Sequence, residues 1–178
     1  MNPALDPAIA GGLPAYAELH CRSNFSFLDG ASHPEELVER AAELGYAALA
    51  ITDECSLAGV VRAHTEAKGK GLPLIIGSSF LLTDALRQPD LELVVLCRNR
   101  QGCGDLAELI TLARARAAKG SYRLAREDFA APAAPYEHLR GLPDCLVLLI
   151  PAYGTSAERL AEQAGSAARG FGRERLWL

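Results

Sequence analysis

Apolar residues recur along this chain in two alternating periods, and the alternation predicts its elements. Ala15 to Cys21 reads as a short strand, followed by a polar turn through Ser23, Asn24 and Ser26. From Pro34 to Leu44, the positions Leu37, Val38, Ala41, Ala42 and Leu44 fall on one helical face against Glu35, Glu36, Glu39, Arg40 and Glu43. Ser32 and Glu35 have capping-box spacing, Pro34 suits a first turn, and Gly45 supplies the stop. Ala47 to Ile51 then predicts a buried strand. Leu57 to Lys70 predicts a helix with Val60, Val61, His64 and Ala67 inward, and Leu74 to Leu82 a third strand. The order repeats with a strand at Leu91 to Cys97 and a helix at Asp105 to Ala118, whose inner face is Leu106, Leu109, Ile110 and Ala113. A Pro-interrupted segment around residues 130–142 precedes a strand at Cys145 to Ile150, a helix at Ser156 to Ala168, and the start of a further strand at Arg175 to Leu178. Buried strands alternating with amphipathic helices indicate an α/β fold, either a β/α barrel or a doubly wound sheet. Strands centred on Leu49, Ile75, Val94 and Leu148 are expected to be adjacent and parallel, with the helices outside.

Composition narrows the function classes. With 178 residues and 49% hydrophobic content, the chain has enough apolar side chains to fill one domain core. A net charge of −4 argues against a protein that depends on non-specific phosphate binding, which needs a clustered basic surface. One basic concentration stands out: Arg98, Arg100, Arg114, Arg116, Lys119, Arg123 and Arg126, read either as solvated charges or as a contact surface for DNA or another domain. Five cysteines without a C-x-x-C pair fit neither a disulfide framework nor a structural zinc site, and point to a reducing compartment, the cytoplasm by default. Residues 1–14 carry Pro, Gly and Asp6 but no basic region, so they read as a flexible leader rather than a signal peptide. The domain is placed at residues 15–178. Gly69, Gly71, Gly102 and Gly104 match no phosphate-loop fingerprint. His33 reads as an exposed neighbour of a helix cap, His64 as a core or boundary residue, and Cys55 has no histidine beside it in sequence to activate it.

Two stretches carry more information than the rest: Tyr16 to Ala31, which contains Glu18-Leu-His-Cys-Arg-Ser23, and Ile51-Thr-Asp-Glu-Cys-Ser-Leu-Ala-Gly59. Together they resemble motifs one and two of the PHP (polymerase and histidinol phosphatase) domain, in the form found at the N-terminus of bacterial family C polymerase α subunits, closest to the error-prone, damage-tolerant branch. The resemblance extends from Tyr16 to the end of the chain. It implies a distorted seven-stranded β/α barrel with ligands at the C-terminal ends of strands, where His20 and Asp53 fall. Because a complete PHP domain is longer than 178 residues, the resemblance implies a barrel lacking its closing strands. An unpaired edge and a tendency to associate are expected around Leu176, Trp177 and Leu178.

By resemblance, metal-competent members bind two or three divalent ions that activate water and clamp phosphate oxygens. Their first motif reads His-x-His-Ser, and here His20 is followed by Arg22, whose guanidinium has no lone pair to donate. Their second motif reads Thr-Asp-His, and here Asp53 is followed by Glu54. The carboxylate of the third motif is replaced by Ser79. His20, Asp53 and Glu54 are therefore the remaining candidate ligands of a vestigial site, with Arg22 and Ser79 at degenerate positions. No cofactor is expected beyond weakly held divalent metal. A salt bridge from Arg22 to Asp53 or Glu54 is the expected substitute for the missing ions. The resemblance implies a non-catalytic structural module of a DNA-directed DNA polymerase acting in replication and damage-tolerant repair. Its expected partners are the remaining polymerase domains, DNA through the parent enzyme, accessory proteins and the sliding clamp. The alternatives are a free-standing metal-dependent phosphoesterase and a module that binds a polymerase partner in trans.

Overall fold

The computed structural model describes residues 15–83 and 89–178, so the expected leader lies outside the described residues. Its centre is a curled six-stranded sheet, a half-barrel, in which the strands lie in sequence order: β1 (Ala17–Cys21), β2 (Ala48–Ile51), β3 (Leu74–Thr83), β4 (Pro89–Cys97), β5 (Cys145–Ile150) and β6 (Leu176–Trp177). Helix α1 (Pro34–Glu43) connects β1 to β2 and α2 (Val60–Lys70) connects β2 to β3. Helix α3 (Arg100–Ala115) and the short α4 (Glu127–Ala130) lie between β4 and β5, and α5 (Ala157–Phe171) precedes β6. The strands and the longer helices come in the expected order, but α3 starts at Arg100 instead of Asp105 and ends at Ala115, and α4 had no counterpart in the sequence pattern.

The expected all-parallel sheet is corrected at β4. Strands β1, β2 and β3 are parallel, as are β5 and β6, but β4 runs antiparallel to both β3 and β5. The physical reason is connection length. Only residues 84–88 separate β3 from β4, and a parallel crossover needs a dozen residues or more. Two further corrections concern helix faces. In α2 Ala67 is buried as expected and Val60 partly so, while Val61 and His64 are exposed and Ala63 takes the buried place between them. The α1 cap is His33 rather than Ser32, with the Glu36 carboxylate accepting from the His33 N–H at 2.8 Å.

Two apolar layers fix the sheet. On its outer side, Leu91, Leu93 and Val95 of β4 and Val147 and Leu149 of β5 meet Leu106, Leu109 and Ala113 of α3, Phe129 of α4 and Phe171 of α5. Each fully buried side chain of this size contributes about 1.5–3 kcal/mol. The stretch between α3 and β5, whose residues 130–142 read from sequence as a Pro-interrupted segment, places Leu124, Phe129, Leu139 and Leu142 in this same core. On the inner, concave side, Leu19, Ile75, Leu96, Leu146, Leu148 and Ile150 line an open apolar groove of about 550 Å³. Strand β6 closes one end of the sheet, with Trp177 50% and Leu178 72% exposed.

Candidate metal centre

The residues singled out by sequence lie at the ends of β1 and β2 and, for Ser79, inside β3, and their side chains are engaged in different places. Asp53 follows β2, is 1% exposed, and accepts three hydrogen bonds from the loop after β1: the Ser23 N–H at 2.7 Å, the Ser23 hydroxyl at 2.8 Å and the Ser26 hydroxyl at 2.8 Å. Both carboxylate oxygens are thereby occupied. The loop is tied further by the Glu54 N–H donating to Ser26 Oγ at 3.0 Å, and by the Asp29 and Gly30 N–H groups donating to the Ser26 carbonyl. It folds back so closely that a Cβ on Gly30 would lie 1.9 Å from the Ser23 carbonyl oxygen. At its tip Phe27 and Leu28 are 87% and 93% exposed, Leu28 in a left-handed conformation at φ 67°.

Arg22 pairs with Asp29 and Glu92, not with Asp53 or Glu54 as expected. The reason is geometric. The Asp53 carboxylate turns toward the serine loop, whereas Glu92 shares the strand parity of Val94 and Leu96 and so lies on the concave face. His20 Nε2 lies 3.8 Å from Glu92 Oε1, is buried, and has no hydrogen-bond partner among the described residues. Burial, reinforced by the neighbouring Arg22 charge, pulls the His20 imidazole below its ordinary value. His20, Arg22, Asp29, Gly30 and Glu92 line an open polar hollow of about 370 Å³.

Glu54 points elsewhere. Its carboxylate accepts from the Tyr122 hydroxyl at 2.6 Å, and that phenolic oxygen accepts the Leu81 N–H at 2.7 Å. Burial, with the bond to Glu54 second, raises the Tyr122 hydroxyl above its ordinary value. Arg114 donates to the Cys55 carbonyl at 3.0 Å, holding the segment after Asp53 against α3. Ser79 is fully buried, and its hydroxyl has no partner among the described residues. The neighbouring Ser78 hydroxyl donates to the Asp53 carbonyl at 2.7 Å. Among the described residues no group of three or more His, Cys, Asp or Glu side chains is placed to hold a metal ion.

Comparison with known proteins adds the ancestry of this arrangement. The family model of the PHP domain matches residues 18–168. The chain belongs to the PHP domain family. An error-prone DNA polymerase of Bordetella parapertussis is 68% identical over 152 residues, covering 85% of this chain and 14% of that protein. Its counterpart in Ralstonia nicotianae is 56% identical over 161 residues, covering 90% of this chain and 15% of that protein. The chain thus spans about one seventh of the length of these curated relatives. A Bifidobacterium adolescentis protein assigned as a metal-dependent phosphoesterase superposes with a TM-score of 0.56 at 18% identity over 91% of this chain and 81% of its own. That likeness shows the fold alone, and fits a half-barrel of PHP type.

In this PHP domain, sequence reasoning placed His20 and Asp53 correctly at strand ends but missed Asp29, Glu92, Tyr122 and the pair Ser23 and Ser26. Glu92 carried a readable signal, a lone carboxylate inside the apolar run Leu91 to Leu96. Of the seven basic residues, Arg114 binds backbone carbonyls, Arg116 pairs with Asp128, and Arg126 with Asp90. Arg98, Arg100, Lys119 and Arg123 are exposed. Among the described residues no helix is long and apolar enough to cross a membrane.

Proposed function

We propose that this PHP domain is a non-catalytic scaffold module of an error-prone DNA polymerase, which packs against other domains of that enzyme and supports them during damage-tolerant DNA synthesis. The observation that carries this reading is the Asp53 carboxylate, whose two oxygens bind the Ser23 and Ser26 donors. A catalytic metal cluster needs several neutral imidazoles and free carboxylates converging on ions about 3.5–4 Å apart. The residues present do not fit one. Asp53 and Glu54 face different partners, Ser79 offers a neutral hydroxyl, and the Arg22 guanidinium stands beside Glu92 as a fixed positive charge. The groove along Leu19, Ile75, Leu96 and Leu148 and the exposed pair Phe27 and Leu28 supply apolar surface for neighbouring domains. Arg98, Arg100, Lys119 and Arg123 are the residues of the basic set available for DNA or a further domain.

One observation favours the alternative of a metal-dependent phosphoesterase, namely the unpartnered Nε2 of His20. Hydrolysis of an aryl phosphate monoester and an aryl phosphate diester, with Mn²⁺ or Zn²⁺ supplied, separates the two. The scaffold reading predicts rates equal to those in buffer with metal alone. Turnover lost on His20→Ala substitution would establish the phosphoesterase instead.

A further inference from the structure

Three of the five cysteines gather where β4 ends, β5 begins and α3 starts. Cys97 and Cys145 are direct partners across the antiparallel pair. Beyond them the Arg98 N–H donates to the Asp144 carbonyl at 3.0 Å, while the Cys145 N–H turns away to the Leu142 carbonyl. Arg98 and Asp144 therefore form a hydrogen-bonded pair, and Cys97 and Cys145 the adjacent narrow pair, in which Cα atoms approach to about 4.5 Å. That spacing lies within the range a disulfide spans. Both side chains turn to the helical side of the sheet, Cys145 fully buried and Cys97 partly exposed.

Helix α3 seals the cluster from the side. Asn99 caps it by accepting the Gly102 N–H at 3.0 Å, and anchors it by donating to Asp144 Oδ1 at 2.6 Å. A Cβ at position 102 would meet the Asp144 carbonyl oxygen at 2.2 Å, so glycine is what allows this approach. The Cys145 thiol donates to the Gly102 carbonyl at 3.6 Å, and Cys103 follows on the same turn. Hydrogen bonding to Cys145, burial and a second bond to Cys103 push the Cys97 thiol up, whereas the bond from Cys97 brings Cys145 down. Cys97 is the member that solvent reaches, Cys145 being fully buried behind it.

We propose that Cys97 and Cys145 form a reversible cross-strand disulfide on exposure to a peroxide, making this strand pair an oxidative modification site that locks β4 to β5. The Cys97 sulfur, the one solvent reaches, gives up its proton and attacks peroxide, forming an S–O bond and breaking the O–O bond, so that a sulfenic acid results and the proton leaves with the departing hydroxide as one water. The Cys145 sulfur then gives up its proton and attacks that sulfur, breaking the S–O bond, and the departing hydroxide takes up the proton and leaves as a second water. Overall, two thiols and one hydrogen peroxide give one disulfide and two waters. The bond closes residues 97–145, which include α3, α4 and the core residues Leu124 and Leu139, into one covalent loop. Removal of that loop's freedom from the unfolded chain raises thermal stability.

The three cysteines fall on separate tryptic peptides, residues 88–98, 101–114 and 141–159. The test treats the 178-residue chain with excess hydrogen peroxide, blocks remaining thiols, digests without reductant and reads the products by mass spectrometry. The expected result is a linked species of peptides 88–98 and 141–159 that dithiothreitol dissolves, persists in Cys103→Ser and is absent from Cys97→Ser. The melting temperature of the oxidised wild type should rise by several degrees over the reduced form, with no rise in Cys97→Ser. Linkage through peptide 101–114, over-oxidation of Cys97 without any linkage, or an unchanged or lowered melting temperature in the linked sample would each overturn the proposal.

Discussion

Asp53→Ala should lower the stability of this domain by about 3–4 kcal/mol, because it strands a buried backbone N–H and two buried hydroxyls at once. The Ser23 and Ser26 hydroxyls can rotate in search of other acceptors, but the Ser23 N–H is fixed by the chain and loses its partner outright. Asp53→Asn keeps one acceptor oxygen and should lose roughly half as much. Urea unfolding measures the difference. Amide exchange should localise it, with the amides of residues 23–30 exchanging faster in Asp53→Ala while those of β4 and β5 change only with the global stability. An effect below about 1 kcal/mol would mean that the carboxylate is not the anchor of this loop.

Gly30→Ala is expected to have an effect of similar size, about 2–4 kcal/mol, by a different route to the same loop. Its Cβ would lie 1.9 Å from the Ser23 carbonyl oxygen and 2.4 Å from the Ser23 carbonyl carbon, both backbone atoms that no rotamer change can move aside. The loop must open, and Ser23 is then drawn off Asp53. Because either substitution alone undoes the contact between Asp53 and Ser23, the double variant should lose well under the sum of the two single losses. A double-mutant cycle reads this directly. Strict additivity would show that Gly30 and Asp53 support separate structures.

The sequence carried most of the fold because its strands are near-continuous apolar runs and its helices have one clear apolar face. The strand at Cys145–Ile150 and the helix starting at Pro34 were read at their observed starts for that reason. Strand direction was lost at β4, where the five-residue separation from β3 should have outweighed the rhythm of alternating elements. On α2, Ala67 was placed inward as observed, but Ala63 was missed because an alanine buries little area and weighs less in a periodicity than the exposed Val61. At the site, motif spelling located His20, Arg22, Asp53 and Glu54 at neighbouring strand ends and Ser79 on the adjoining strand, but spelling says nothing of where a side chain turns. Asp53 turns to serines two and a half dozen residues earlier, Glu54 to Tyr122, and Arg22 to a glutamate seventy residues later. Those pairings depend on strand order and on which face each residue presents, and both exist only once the sheet has formed.

The central claim is that the surviving ligand positions of this PHP domain serve packing and charge pairing instead of metal binding. Elemental analysis of the purified 178-residue chain after exhaustive dialysis, following loading with Zn²⁺, Mn²⁺ or Fe²⁺, tests it most directly. The account predicts less than one ion of any of these metals per chain, with the same content in His20→Ala and Asp53→Asn. Two or more ions retained per chain in the wild type, and lost in those variants, would contradict it.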